Sequence, residues 1–528
     1  MQSNNFDTTW ANYLSSDTSG QAGYDGSNDA WLLTTTGAGG RLDQNISSTG
    51  VQSYSVYAKA NTYDYLFLIG LGALDRRGFF DLANGVVGTT QNLIDSSIHS
   101  VGNGWYKCTI VFNDTINQVR IAGLQGDSDF TGTSGSIYIQ DAQLEQGMVA
   151  RDYIETTTAA VEGGITDNVP RLDYTDSSCP ALLLEPQRTN HYHQSEYFST
   201  GSRAIITNNA TTSPEGVSNA TSVVATSVSG SHEVTLSPII SIGNTNPRTF
   251  SLYAKYNGNH LILNVAGSST AWTGCIFDLQ NGVAKTPENN GSQSLCTASI
   301  EDAGDGWYRC SVTYTPYASG GFLHLISLTD DVNATLTTWG AASYVGDDVS
   351  GIYIYGAQVE QGSYATSYIP TYGTSVTRNN DETDVTGLQS KGILSSTQGT
   401  MFFHITDIEG TAVVFNAQTA NDLSYALRFI ARDNGFQTFQ RVNDVQTTIR
   451  GTSSLTLSEW KIAMSWNGTN LITSLNGTSY IDTIDASIAS QLDAVKRVNP
   501  QAIYVTTNQI LVFPTQLTEA ELNDLTTL

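Results

Sequence analysis

The chain has 528 residues, enough for about three domains of ~150 residues each. Lys+Arg number 23 against Asp+Glu 49, a net charge of −26, which repels phosphate backbones and anionic membranes and so argues against a nucleic-acid binder. Hydrophobic residues at 39% supply folded cores and exclude global disorder.

The beginning, Met1 to Trp10, carries neither a basic start nor an apolar stretch, so no signal peptide is expected. No run of ~18 apolar residues predicts a membrane span. Residues 1–156 read as short strands. Tyr54-Ser55-Val56-Tyr57-Ala58 alternates and is aromatic or β-branched, and Asn84-Gly85 marks a turn. Phe80-Asp81-Leu82-Ala83-Asn84-Gly85-Val86, Gly104-Trp105-Tyr106-Lys107-Cys108 and Ala142-Gln143-Leu144-Glu145-Gln146-Gly147 follow.

All of them return later in the chain. Phe277-Asp278-Leu279-Gln280-Asn281-Gly282-Val283, Gly306-Trp307-Tyr308-Arg309-Cys310 and Ala357-Gln358-Val359-Glu360-Gln361-Gly362 lie at an offset that grows stepwise, as loop insertions produce. Residues 191–376 are therefore a second copy of the first domain. The connector 157–190 holds Pro170-Arg171-Leu172-Asp173-Tyr174 and a Leu182-Leu183-Leu184 run that needs burial against a neighbour. Residues 377–528 form a third domain. Its strands are expected at 400–405, 426–430 and 460–466, and its hairpins at Asn467-Gly468 and Asn476-Gly477. Thr518 with Glu521 predicts a capping box opening a short helix. The fold class is all-β, with tandem antiparallel sandwiches: two jelly rolls followed by a third sandwich.

Three motifs carry a family resemblance. The connector's PRLDY, its Leu182-Leu183-Leu184-Glu185-Pro186-Gln187-Arg188-Thr189-Asn190 and the following Ser195-Glu196-Tyr197-Phe198 resemble a segment of bacteriophage tail-fibre and head-fibre proteins. Gly306-Trp307-Tyr308-Arg309, Gly356 to Glu360 and Tyr368-Ile369-Pro370-Thr371 are similar to the carbohydrate-binding-module-like jelly roll of that family. Thr377-Arg378-Asn379-Asn380-Asp381 before Gly399-Thr400-Met401-Phe402 resembles the start of its laminin-G or concanavalin-like sandwich. The resemblance implies a virion-surface protein made in the host cytoplasm, partnered by glycans and other virion proteins. A homotrimer is the habit of such fibres. His191 and His193 depart from the pattern, standing where an apolar residue usually follows.

Residues that recur in both copies, such as Trp105-Tyr106 and Trp307-Tyr308, are those the fold itself requires. Aromatics that differ between copies are the better ligand candidates: Tyr63 and Tyr65 in the first, Tyr256, His260 and Trp272 in the second. Such rings stack on the apolar face of a sugar. Asp141 is a candidate for a structural calcium ion, and no other cofactor is expected. His191 and His193 are too few for a metal site on their own. Five widely spaced cysteines without a C-x-x-C exclude zinc ribbons, and stability is not expected to depend on disulfides, with Cys275–Cys296 the one pairing left open. No E-x-D-x-x-E, G-x-S-x-G or phosphate-binding glycine loop occurs, so the chain reads as a non-enzyme. The expected function is glycan binding by a phage fibre or spike. A capsid decoration without glycan affinity and a polysaccharide depolymerase are the alternatives.

Overall fold

The computed structural model describes residues 3–157, 159–161, 172–173, 181–291, 293–381, 383–409, 413–419, 424–432, 435–452, 459–498 and 504–527. Strand accounts for 57% and helix for 3%, an all-β protein. Contacts divide the chain into two compact units. One holds Met1–Gly164 with Thr189–Val376, and the other holds Ile165–Arg188 with Thr377–Leu528.

In the first copy ten strands form one antiparallel sheet. Its centre is the pair Arg41–Ala60 and Trp105–Leu124, each 20 residues long. A register shift between Asn45 and Ser48 interrupts that pair, as a bulge does. Residues on both sides of it, among them Leu42, Val56, Phe112 and Ile121, meet in one core. The second copy separates the same design into two sheets of six and eight strands around Phe250, Leu263, Phe277, Val312 and Ile354.

The sequence repeat is a repeat of register. Val56 faces Cys108 and Lys59 faces Trp105 in the first copy; Leu252 faces Cys310 and Lys255 faces Trp307 in the second. Both tryptophans and both cysteines are buried. Within Phe-Asp-Leu-x-Asn-Gly-Val, Asp81 Oδ1 accepts the Ala83 and Asn84 amides, and Asp278 Oδ1 accepts those of Gln280 and Asn281. Each turn closes on a glycine at φ +67°. Gln143 and Gln358 catch the returning chain, accepting the amides of Ile154 and Ile369 at 2.7 Å.

In the second unit a seven-stranded and a six-stranded sheet enclose Met401, Phe403, Phe429, Phe436, Trp460 and Trp466. The Leu run forms the strand Ala181–Leu184 and pairs with Tyr504–Phe513, so it does join a neighbour. Asn476 and Gly477, both at positive φ, make the expected hairpin turn between Asn470–Leu475 and Thr478–Thr483. The helix Glu519–Thr526 opens with the Thr518/Glu521 capping box. The four described cysteines are free and buried, so Cys275 and Cys296 form no bridge. Cys179 and most of PRLDY lie outside the described residues. Among the described residues no helix is long and apolar enough to cross a membrane.

Candidate functional site

The aromatic candidates do not form one platform. Tyr63 is buried in the first core, its hydroxyl accepting the Ser134 amide. Trp272 is 3% exposed and lies beneath Leu336 and Ala342, with Gly340 against its ring. Both rings were expected to face a sugar, and in the structure neither presents a face to solvent. The segment that carries Leu336 and Ala342 covers Trp272, and Gly132 and Gly135 lie against Tyr63 at the edge of the core; sequence alternation shows neither. Tyr256 is half-buried, with the His260 ring centroid 5.1 Å away.

Tyr65 and His260 occupy equivalent positions. The Tyr65 hydroxyl donates to Asp81 at 3.1 Å, and His260 Nδ1 lies 3.4 Å from Asp278, the aspartate of the repeated turn in each copy. Burial, offset in part by Asp278, holds the His260 imidazole below its ordinary pKa. These two candidates therefore differ in chemistry on one common support.

Asp141 marks a bulge. The strand Gly135–Gln146 shifts register between Gln140 and Gln143, and Asp141 stands there at φ +52°. Gly356 holds the same place in the second copy at φ +65°. The position needs a left-handed residue, which glycine adopts freely and Asp tolerates. The Asp141 carboxylate accepts the Tyr24 hydroxyl at 3.0 Å. Burial raises its pKa to about 6, against the hydrogen bond from Tyr24, with Asp29 adding to the rise. Among the described residues no three His, Cys, Asp or Glu side chains group as metal ligands, at the calcium candidate Asp141 or at His191 and His193.

A different feature stands out at one end of the first copy. A shallow, open depression of about 440 Å³ is lined by Asn4, Asn5, Asp7, Ser19, Gly20, Asn28, Asp29 and Trp31. Asn4 Nδ2 reaches the Asp29 carbonyl at 3.4 Å, and the Trp31 indole N–H donates to the Asn4 carbonyl at 3.0 Å. Asp29 Oδ1 accepts from Gln140 at 2.8 Å and from Ser27, while Oδ2 accepts nothing. The exposed Asn5 and Asn28 amides bond to no protein group. The sequence reading missed these residues because it sought aromatics; the Asn-Asn and Asn-Asp pairs were the available signal.

The repeat shows what this end can do. Phe6 and Ala30 align with Phe198 and Ala220, all buried, so Asn4, Asn5, Gly20, Asp25 and Asp29 correspond to Glu196, Tyr197, Asn209, Glu215 and Asn219. In the second copy that end is occupied by the first copy. Val51 donates its amide to the Tyr372 carbonyl at 3.0 Å, and Tyr372 and Tyr197 pack on Val51, Val111 and Met148. Asn209 donates to Asp95 at 2.9 Å and to the Met148 carbonyl at 3.0 Å. Arg151 pairs with Glu215 at 2.7 Å. The buried Glu196 accepts the Tyr372 and Tyr368 hydroxyls at 2.9 and 3.1 Å. Its carboxyl is raised by burial despite those bonds. Burial also pushes Glu215 up, but Arg151 and Tyr355 outweigh it and its pKa is lowered. In the first copy Asn5 stands for Tyr197 and Gln140 for Tyr355, while Tyr153 keeps the place of Tyr368 and Trp31 lines the cleft, so among the described residues this end is the more polar.

These features define an all-β protein of tandem antiparallel sandwiches. No family model and no curated protein matches the chain. Among solved structures it is similar to a carbohydrate-binding module from Bacillus subtilis (12% identity, covering 26% of this chain and 86% of the other, TM-score 0.21). It is also similar to sheep galectin-11 in complex with glycerol (6% identity, 26% and 98%, TM-score 0.21). Domains LG4-5 of the mouse laminin alpha1 chain are a third (9% identity, 68% and 92%, TM-score 0.18).

Proposed function

We propose that this chain is a glycan-binding fibre or spike protein of a bacteriophage particle, without enzymatic activity. The observation that carries glycan binding is the open cleft of the first copy. The Asn5 and Asn28 amides and Asp29 Oδ2 are left as donors and acceptors of the kind that sugar hydroxyls engage. The phage part rests on the sequence resemblance through the LLLEPQRTN and SEYF segments. On that reading the protein sits on the virion surface among other virion proteins and is made in the host cytoplasm. In a homotrimer, one weak site per chain gains avidity of ~10²–10⁴ where geometry permits.

The absence of catalysis is part of the proposal. The closely placed carboxylates Glu196 and Glu215 share the Asn219 amide at 3.2 Å each, but they are engaged in the joint between the copies rather than in a cleft. A second reading has one observation in its favour. The cleft is equivalent to the end by which the second copy holds the first, so a docked virion protein, with no glycan affinity, is the structural alternative. A glycan array with the full chain, together with reducing-end release on the bound polysaccharides, tests the proposal. Binding without release is expected. Release of reducing ends would establish a depolymerase, and silence in both assays would favour the structural role.

A further inference from the structure

One end of the second copy's core holds a guanidinium that the fold does not pair. Arg248 opens the strand Arg248–Asn257 and stands opposite Tyr314 of Trp307–Tyr314. It shares the inner face of its strand with Phe250, Leu252 and Ala254 of the core. It is 5% exposed and its Nε is buried without a partner, and among the described residues no group accepts a bond from its Nη atoms. Imidazoles surround it. His324 is buried, its Nε2 2.8 Å from the Tyr314 hydroxyl and its ring centroid 5.3 Å from that of Phe250. His191, whose amide donates to the Val359 carbonyl at 2.8 Å, is one of the two histidines that depart from the sequence pattern. Burial, then the charges of Arg248 and His193, holds the His191 imidazole below its ordinary pKa. Burial pushes His324 down to about 3 against a backbone hydrogen bond at Phe322, with Arg248 and His191 adding to the fall. Among the described residues no carboxylate bears on any of the three.

The first copy shows that the fold does not need this charge. Gln52 faces Phe112 there, as Arg248 faces Tyr314, and Val119 holds the place of His324. Gln52 is fully buried, its amide donating to the Gly50 and Asp114 carbonyls at 3.2 and 2.9 Å. The second copy carries a buried cation beside two imidazoles at the same end, in a chain with 49 acidic against 23 basic residues. A buried, unpaired guanidinium is strongly unfavourable until an anion joins it. We propose that this end of the second core binds a small oxyanion, a phosphate, sulfate or carboxylate group, on the Arg248 guanidinium with His191 beside it as a further donor. The planar guanidinium fork matches such groups through two parallel N–H···O bonds. Arg248 is so enclosed that only a compact group reaches it, either a free inorganic anion or a single charged substituent of a glycan. This site is independent of the first copy's open end and adds a ligand class to the glycan-binding reading.

Melting curves of the full chain at constant ionic strength in chloride buffer test it, with inorganic phosphate titrated into the millimolar range. The wild type should show a saturable rise in melting temperature of about 2–4 °C. Arg248→Gln installs the residue that the first copy carries at this position, and it should show no such rise. Equilibrium dialysis should find a phosphate site in the wild type that Arg248→Gln lacks and that His191→Asn weakens about tenfold. Oligogalacturonate, run beside its neutral galactose counterpart, separates the two sources. Protection by oligogalacturonate at a lower concentration than phosphate assigns the site to a glycan substituent, and the reverse order assigns it to a free anion. An equal rise in Arg248→Gln would mark a general salt effect and overturn the inference. So would a wild type that neither shifts with nor binds phosphate, sulfate or oligogalacturonate. If Arg248→Gln does not fold, equal phosphate affinity in the wild type and His191→Asn would overturn it as well.

Discussion

Asp141 shows how one side chain serves backbone geometry and carries an electrostatic cost. Its raised pKa of about 6, against the ordinary 3.8, means that the folded state holds a proton more tightly than the unfolded state. That stabilisation is fully present below pH ~4 and lost as pH rises through about 6. Asp141→Asn, which keeps an acceptor for Tyr24 and tolerates positive φ, should therefore stabilise the protein at pH 7 by up to about 3 kcal/mol. The gain should vanish below pH 4 in paired thermal melts. A gain independent of pH would contradict the account. Trp272→Ala is the opposite case. The ring is enclosed, so the expected result is a stability loss of about 3–5 kcal/mol rather than a selective loss of glycan binding. Paired denaturation and binding curves check it. At this scale the sequence was a partial guide. Identity between copies marked Trp105, Trp307, Asp81 and Asp278 as scaffold, and the structure agrees. Divergence between copies did not mark exposure, because Tyr63 and Trp272 are hidden by loops distant in the chain.

Strands and turns were the most legible features, since their signals are local. Alternation placed the strands, Asn-Gly placed the hairpins, and Thr518 with Glu521 placed the helix start. The joint between the copies was not legible, because it depends on which residues of one domain meet another. It hinges on Gly50, at φ +94°, where a Cβ would stand 1.6 Å from the Tyr372 carbonyl oxygen. Glycine is required there both for its backbone angle and for the close approach. The Arg151–Glu215 pair adds little, since both partners are more than a third exposed. Gly50→Ala should open the joint while each core stays folded. Hydrogen exchange should then quicken at least tenfold at the Val51 amide, which now bonds to Tyr372, and stay unchanged within the strand Arg248–Asn257. Unchanged exchange at Val51 would show that the joint does not depend on that approach.

For the whole molecule, duplication with divergence connects structure to function. One end of the sandwich was kept twice. In the second copy aromatics and an ion pair dock it onto its neighbour. In the first copy Asn4, Asn5, Asn28 and Asp29 leave it open. The all-β class and the duplication could be read from composition and self-comparison. The cleft could not, because its polar residues come from three separate segments and resemble ordinary surface until the fold assembles them. The most direct measurement is titration calorimetry of the strongest array ligand against the wild type and Asn5→Ala/Asn28→Ala. The account predicts at least a tenfold loss of affinity in the variant at an unchanged melting temperature. Equal affinity in the two proteins would contradict it and move the binding site away from the first copy's end.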